Sequence, residues 1–231
     1  MRVPVYLRPA QEAFAHYWKI ILSFQLMSFC LVIAYYQSNW LRTGFLQIAE
    51  WKHNSGLVFV ILTTIASGLL LPELFKRLFL PRTRSLSPSE WLHQLILWAV
   101  VGLLVDHFYQ LQAHFIGQEA NALNVLAKIL LDQFVFAPFI ILPFIVIWFA
   151  LDEAAYRPKI WLQSLNVGMI CRRVAPIWCT SLCYWPLMLV AIYALPSDLQ
   201  FPLFLLVNAA YSVLMIYIAK KPQALNRDCG F

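Results

Sequence analysis

Apolar residues run through this chain in six long blocks, 18–36, 56–71, 91–109, 123–151, 174–195 and 201–219, separated by short polar stretches. A helix needs about 20 mostly apolar residues to cross the hydrocarbon core of a bilayer. The blocks come close to that length, the second by extending through Leu74, Phe75 and Leu78. A membrane β-barrel would show segments of about 10 residues with alternating polarity, whereas these runs are longer and uniformly apolar. The pattern predicts an all-α, polytopic membrane helix bundle of about six transmembrane helices. The fourth, central helix is expected to kink at Pro138 and Pro143, because each proline withholds a backbone donor.

Loop charges agree with that count. With six spans, one side of the membrane receives Arg2, Arg8, Lys19, Lys76, Arg77, Arg82, Arg84, Arg157, Lys159, Arg172, Arg173, Lys220, Lys221 and Arg227. The other receives only Arg42 and Lys52, and Lys128 falls within a span. So steep a bias places both termini on the cytoplasmic side or its matrix equivalent. Tyr17, Trp18, Tyr35, Tyr36, Trp40, Trp51, Trp91, Tyr109, Trp148 and Tyr217 stand where interfacial aromatic belts belong. In the loop 152–173, Ile160, Trp161, Leu165, Met169 and Ile170 share a near-helical face, which predicts a short helix on the membrane surface. The loop around Pro81, Ser85, Ser87, Pro88 and Ser89 reads as a linker. The first block has no clean small-x-small site after it and is expected to stay as an anchor.

Composition closes off other classes. Among 231 residues, 61% are hydrophobic and 12% charged, with mean hydropathy +0.69. A water-facing domain carries roughly 45–50% apolar and about 25% charged residues. A soluble enzyme, a nucleic-acid-binding module and a disordered regulator are excluded. The net charge of +6 belongs to topology, since its lysines and arginines cluster between apolar runs rather than forming one basic stripe. Five cysteines, at 30, 171, 179, 183 and 229, give no disulfide framework and no CxxC metal pattern. No GxSxG, HExxH or Gly-rich phosphate loop occurs. No enzymatic activity, cofactor or metal is expected.

Ionisable groups inside apolar runs are the sharpest local signal, each costing about 2.5–3.5 kcal/mol at a helix centre on insertion scales. Lys128 and Asp132 lie four apart on the fourth span with Gln133 adjacent, and Asp106 and His107 close the third. The loop between those spans brings their ends to similar depth, so Asp106, His107, Lys128, Asp132 and Gln133 are expected to form one polar cluster near the less basic side. Two readings stay open: a wet lining that selects solutes or ions, or a Lys128–Asp132 pair that satisfies itself between helices. Asn208 suggests an interhelical hydrogen bond. Thr63/Ser67 and Thr64/Gly68 are small-xxx-small pairs suited to close packing, Cys179 and Cys183 read as packing residues, and Pro186 after Trp185 is expected to kink the fifth span.

The run Val125-Leu-Ala-Lys-Ile-Leu-Leu-Asp-Gln-Phe-Val-Phe-Ala-Pro-Phe139 resembles the signature of the Mpv-type family of mitochondrial inner-membrane and peroxisomal membrane proteins: a Lys, then Asp-Gln, then a Pro six residues after the Asp. These fall on Lys128, Asp132, Gln133 and Pro138. Gly102, Phe108-Tyr109 and Phe115-Ile116-Gly117 are similar to the family's Gly and Trp-Tyr stretch and the loop after it. Tyr184-Trp185-Pro186 and Leu195-Pro196 resemble its Trp-Pro and Val-Pro landmarks. Pro72-Glu73 replaces the family's Gly-Asp, and its Gln and Asn after Trp-Pro have no match. The resemblance covers about 53–219, so residues 53–231 read as a family-like membrane domain of about five helices, and 1–52 as a segment adding one more. It implies a distant member acting as a weakly selective channel or pore for small solutes or ions, in a bacterial inner, mitochondrial inner or peroxisomal membrane. The alternative is a non-transporting scaffold or assembly factor binding protein partners or anionic lipid. Expected partners are the bilayer, small solutes or ions and further copies of the chain, and no nucleic acid.

Overall fold

The computed structural model describes residues 8–79 and 84–219, without the side chains of 8–17, 20–21 and 213–219. Arg2, Arg82, Lys220, Lys221, Arg227 and the side chains of Arg8, Tyr17 and Tyr217 therefore lie outside the described residues. Secondary structure among those described is entirely helical, in eight elements: α1 Arg8–Gln37, α2 Asn39–Ser55, α3 Leu57–Phe79, α4 Pro88–Phe115, α5 Ala122–Glu153, α6 Pro158–Ser164, α7 Val167–Tyr193 and α8 Ser197–Ala219. Four of them, α3, α4, α5 and α7, are long and apolar enough to cross a membrane, and Leu22–Gln37 within α1 is a shorter apolar helix.

Side-chain contacts fix the directions. Trp148 on α5 donates its indole N–H to the carbonyl of His93 on α4, 3.1 Å away, and Gln112 Nε2 reaches Lys128 O at 3.0 Å, so α4 and α5 run antiparallel. Trp178 to Gln133 O (2.7 Å) and Arg173 to Glu153 (2.8 Å) pair α5 with an antiparallel α7. The centre is α8, where Leu199, Phe201, Leu203, Phe204, Leu205 and Val207 are all buried. A helix apolar all round is stable only when surrounded. Around it the outer helices expose large apolar side chains, among them Leu62, Leu92, Leu123, Phe115 (78% exposed) and Phe139 (74%). Such a surface suits lipid and not water.

The α3–α4 crossing is close because the residues meeting there are small. A Cβ on Gly102 would stand 2.8 Å from Thr64 Cβ, and one on Gly68 would enter the Trp98 ring. The Thr64/Gly68 pair thus packs as its spacing predicted. Helix α4 starts on a capping box: Ser87 Oγ accepts from Glu90 N–H, and the Glu90 carboxylate accepts from Ser87 N–H at 2.6 Å, with Pro88 in the first turn.

Two expectations are corrected. The polar stretch after the first block is not a loop but α2, capped by Ser38 Oγ and amphipathic, its Leu41, Phe45 and Ala49 packing inward. The surface helix predicted across 152–173 stops at Ser164; the chain is extended at Leu165 and Asn166, and Asn166 caps α7, so Met169 and Ile170 belong to that long helix. Helix α7 carries Pro176 and Pro186 inside a single helical stretch.

Candidate functional site

Two of the long helices depart from α-geometry at one place each. Ala66–Leu70 in α3 and Asp132–Ile141 in α5 are π-helical, wound with one extra residue per turn. The reason in α5 is Pro138. Within this stretch each N–H reaches five residues back, as Leu142 does to Ala137 O; the donor owed to Gln133 O is the one that proline lacks. Trp178 supplies it from α7, its indole N–H 2.7 Å from Gln133 O. A neighbouring helix thus satisfies the freed carbonyl, the usual condition for proline inside a membrane helix. Trp178→Phe is expected to cost about 1–3 kcal/mol by leaving that carbonyl unpaired. Pro138→Ala should recover part of the loss in that background while doing little alone, which a double-mutant cycle of thermal unfolding in detergent would measure.

The widened turn carries the polar residues. Asp132 is buried, with Oδ2 accepting from Tyr193 Oη at 3.0 Å and Oδ1 from Gln133 Nε2 at 3.0 Å. Lys128, 2% exposed, does not pair with it: among the described residues no carboxylate lies within 4.0 Å of its ammonium, which stands 5.8 Å from the Tyr193 ring centroid. The Lys128–Asp132 bridge, one of the two readings open from the sequence, is not formed, and the two residues have a shared partner instead. Tyr193 offers its ring to the lysine and its hydroxyl to the aspartate. Tyr109 packs edge-on against Tyr193, ring centroids 5.5 Å apart, and Gln112 fixes the backbone at Lys128.

Asp106 forms a second centre. Its Oδ1 pairs with Lys52 Nζ at 2.6 Å and its Oδ2 accepts from Gln110 Nε2 at 2.7 Å. Lys52 comes from α2, where it continues the inward face of Leu41, Phe45 and Ala49, and its ammonium also lies 4.8 Å from the Phe201 ring centroid. His107, expected in the cluster, is on the exposed face of α4 and bonds the carbonyl of Leu103 one turn back, at 2.8 Å. Consecutive residues on a helix point about 100° apart, and here that step carries His107 from the buried face that holds Asp106 to the exposed one.

Asp132 and Gln133 also end a cavity of about 540 Å³. Its walls come from α3, α4, α5, α7 and α8, and it is lined by residues of both π-helical stretches. Along α4 it extends from Gln94 to Tyr109, about 22 Å at the α-helical rise. At the shallow end, toward the loops bearing Arg84 and Arg157, Glu73 pairs with Lys76. The walls are mostly apolar: Leu97, Val101, Val105, Phe136 and Ile145 among others. Asn208 lines it from α8 and donates to Ser67 Oγ at 3.4 Å, an interhelical bond of the kind its mid-span position suggested. Trp185 lines it as well, stacked on Phe204. π-helical turns are frequent at functional sites, and a largely apolar cavity with a few convergent polar groups has the character of a ligand site.

The sequence singled out Asp106, Lys128, Asp132 and Gln133 but missed Tyr193, Tyr109 and Lys52, which connect them. Lys52 was within reach, since it follows Leu41, Phe45 and Ala49 at helical spacing. Tyr193 carried no local signal that set it apart from an interfacial aromatic. Among the described residues no group of three or more His, Cys, Asp or Glu is placed to hold a metal ion.

Searches against protein-family models, curated proteins and solved structures each return no match for this chain. The functional reading therefore rests on geometry and on the short motif itself.

Proposed function

We propose that this chain is a membrane protein crossing the bilayer six times, with both termini on the cytoplasmic or matrix-equivalent side, that conducts small solutes or ions through its interior. The observation supporting this is the alignment of the cavity with the buried polar groups. The 540 Å³ cavity leads from the end bearing the basic loops to Asp132 and Gln133. Beyond them Tyr193 and Lys128 continue a polar column toward the other end, while the Asp106–Lys52 pair stands beside the cavity, Asp106 falling between the lining residues Val105 and Tyr109 on α4. Tyr109 and Tyr193 packed across that column form the barrier of a closed state, and their displacement opens it. Charges of both signs in the column suit a weakly selective pathway better than a strict cation or anion filter.

The resemblance to the Mpv-type signature supports the same reading. Asp132, Gln133 and Pro138 belong to the π-helical turn and its contacts with Tyr193 and Trp178, and Lys128 reaches the same Tyr193 ring from the α-helical turn before it. Under this reading the chain is a distant member of that family, working alone or as a homo-oligomer.

Asp132→Asn combined with Lys128→Met is expected to change single-channel conductance in planar bilayers, with helicity retained. Unchanged currents in a folded variant would overturn the pore. A scaffold is the second reading, favoured by the exposed cations Arg157, Lys159 and Arg172 at one end of the bundle. Electrically silent bilayers together with a stoichiometric partner, retained through purification and released by neutralising those cations, would establish it instead.

A further inference from the structure

The cavity described above ends on an unanswered acceptor. Gln133 is 2% exposed, and its Oε1 is buried without a hydrogen-bond partner. The orientation of that amide is set by its neighbour: Nε2 donates to Asp132 Oδ1 at 3.0 Å, so Oε1 must point away from the carboxylate. An orphaned buried acceptor costs about 1–3 kcal/mol, a penalty that a donor arriving in the cavity would relieve. At this end the amide oxygen and the carboxylate are both acceptors, with the Tyr109 hydroxyl as the third polar group in the lining. Lys128 is not part of the cavity lining, and among the described residues the one cation that is, Lys76, is already paired with Glu73 at the opposite end. A ligand bearing a carboxylate would therefore meet Asp132 with no free cation to balance it.

Between the two ends the lining is mostly apolar or aromatic, interrupted by Asn208, which is already bonded to Ser67, and by Ser181. Trp98, Val101, Phe136, Ala137 and Leu189 face the space, and its extent along α4 matches an elongated guest. We propose that the cavity binds an amphipathic alcohol, an apolar chain or ring ending in a hydroxyl, with that hydroxyl donating to Gln133 Oε1 and the apolar body lying toward Glu73 and Lys76. The proposal goes beyond conduction: binding is read at equilibrium, and silent bilayers would leave it standing.

Trp98 and Trp185 line the cavity and report on it. The full chain in phosphatidylcholine nanodiscs, titrated with ω-bromoundecanol, should show saturable quenching of indole fluorescence above the linear background of partition into lipid. Trp98→Phe should remove much of that saturable part. Bromoundecane, which has the same chain and no donor, should give only the linear background, and ω-bromoundecanoate should bind at least about tenfold more weakly than the alcohol, the equivalent of one lost hydrogen bond. Gln133→Leu should weaken the alcohol by a similar factor, and Ala137→Phe, which fills the space, should abolish saturation. Equal quenching by the alcohol and the bromoalkane in the native protein would overturn the proposal. So would unchanged affinity in folded Gln133→Leu and Ala137→Phe. If Gln133→Leu fails to fold, the comparison of the three probes on the native chain and the Ala137→Phe result decide.

Discussion

Lys52→Met should destabilise the protein by about 3–5 kcal/mol, the cost of leaving one member of a buried ion pair behind. Asp106 is enclosed in the bundle, and its Oδ1 has Lys52 as its charged partner at 2.6 Å; the remaining bond, from Gln110, is neutral. Methionine keeps most of the apolar stem that packs beside Phe201, so the loss isolates the charge. A further loss of about 0.5–2 kcal/mol comes from the ammonium leaving the Phe201 ring. Asp106→Asn in the same background removes the stranded carboxylate and should restore most of the stability. Thermal or denaturant unfolding in detergent micelles reads both. If Lys52→Met unfolds like the native chain, α2 is not latched to α4 through this pair.

The consequence for architecture is direct. The amino-terminal segment is tied into the bundle at three points of different chemistry. Gln25 Nε2 reaches Tyr184 O at 3.3 Å, Tyr36 Oη reaches Ala194 O at 2.7 Å, and Lys52 reaches Asp106. The first two anchor α1 to α7 and the turn after it; the third ties α2 to α4.

How far the chain reveals itself without coordinates depends on the range of the interactions involved. Helix positions were legible because an apolar run long enough to cross a bilayer satisfies its own backbone, and nothing remote has to be known. Close packing of α3 was legible for a similar reason, since Thr64 and Gly68 have no bulk to hold a neighbour away, but that the neighbour is α4, through Gly102 and Trp98, was not. The polar groups were legible as residues but not as partners. An i, i+4 spacing places Lys128 and Asp132 on one face and invites a bridge, yet a tyrosine 61 residues beyond Asp132 takes both sides of it. Asp106 and His107 looked like neighbours because they are adjacent in the chain, whereas the helix turns them to opposite environments. Lys52 was assigned to solvent because the stretch around it is polar on average. Averages hide an amphipathic face, and α2 is read correctly only when Leu41, Phe45, Ala49 and Lys52 are aligned on one side. The π-helical turn could be suspected from Pro138, but its rescue by Trp178, 45 residues away from the carbonyl it serves, could not.

Lys128→Met should stabilise the fold by about 1–3 kcal/mol, opposite in sign to the effect at Lys52, and the contrast follows from the partners. Burying an ammonium costs several kcal/mol even after relaxation. Among the described residues no carboxylate within 4.0 Å repays that cost for Lys128. What it has is the Tyr193 ring at 5.8 Å, worth up to about 2 kcal/mol when desolvated. Methionine matches the lysine stem in length, carries no charge, and keeps contact with the ring. A bridge between Lys128 and Asp132 would reverse the sign, since its removal would strand Asp132 and cost about 3–5 kcal/mol. Unfolding of the single variant therefore separates the two arrangements. A residue whose removal stabilises the fold is one the protein keeps for another purpose. Beside the Tyr109–Tyr193 barrier, that purpose is to hold a positive charge where the proposed pathway narrows. Lys128→Met should accordingly raise the unfolding temperature and alter bilayer conductance in the same preparation.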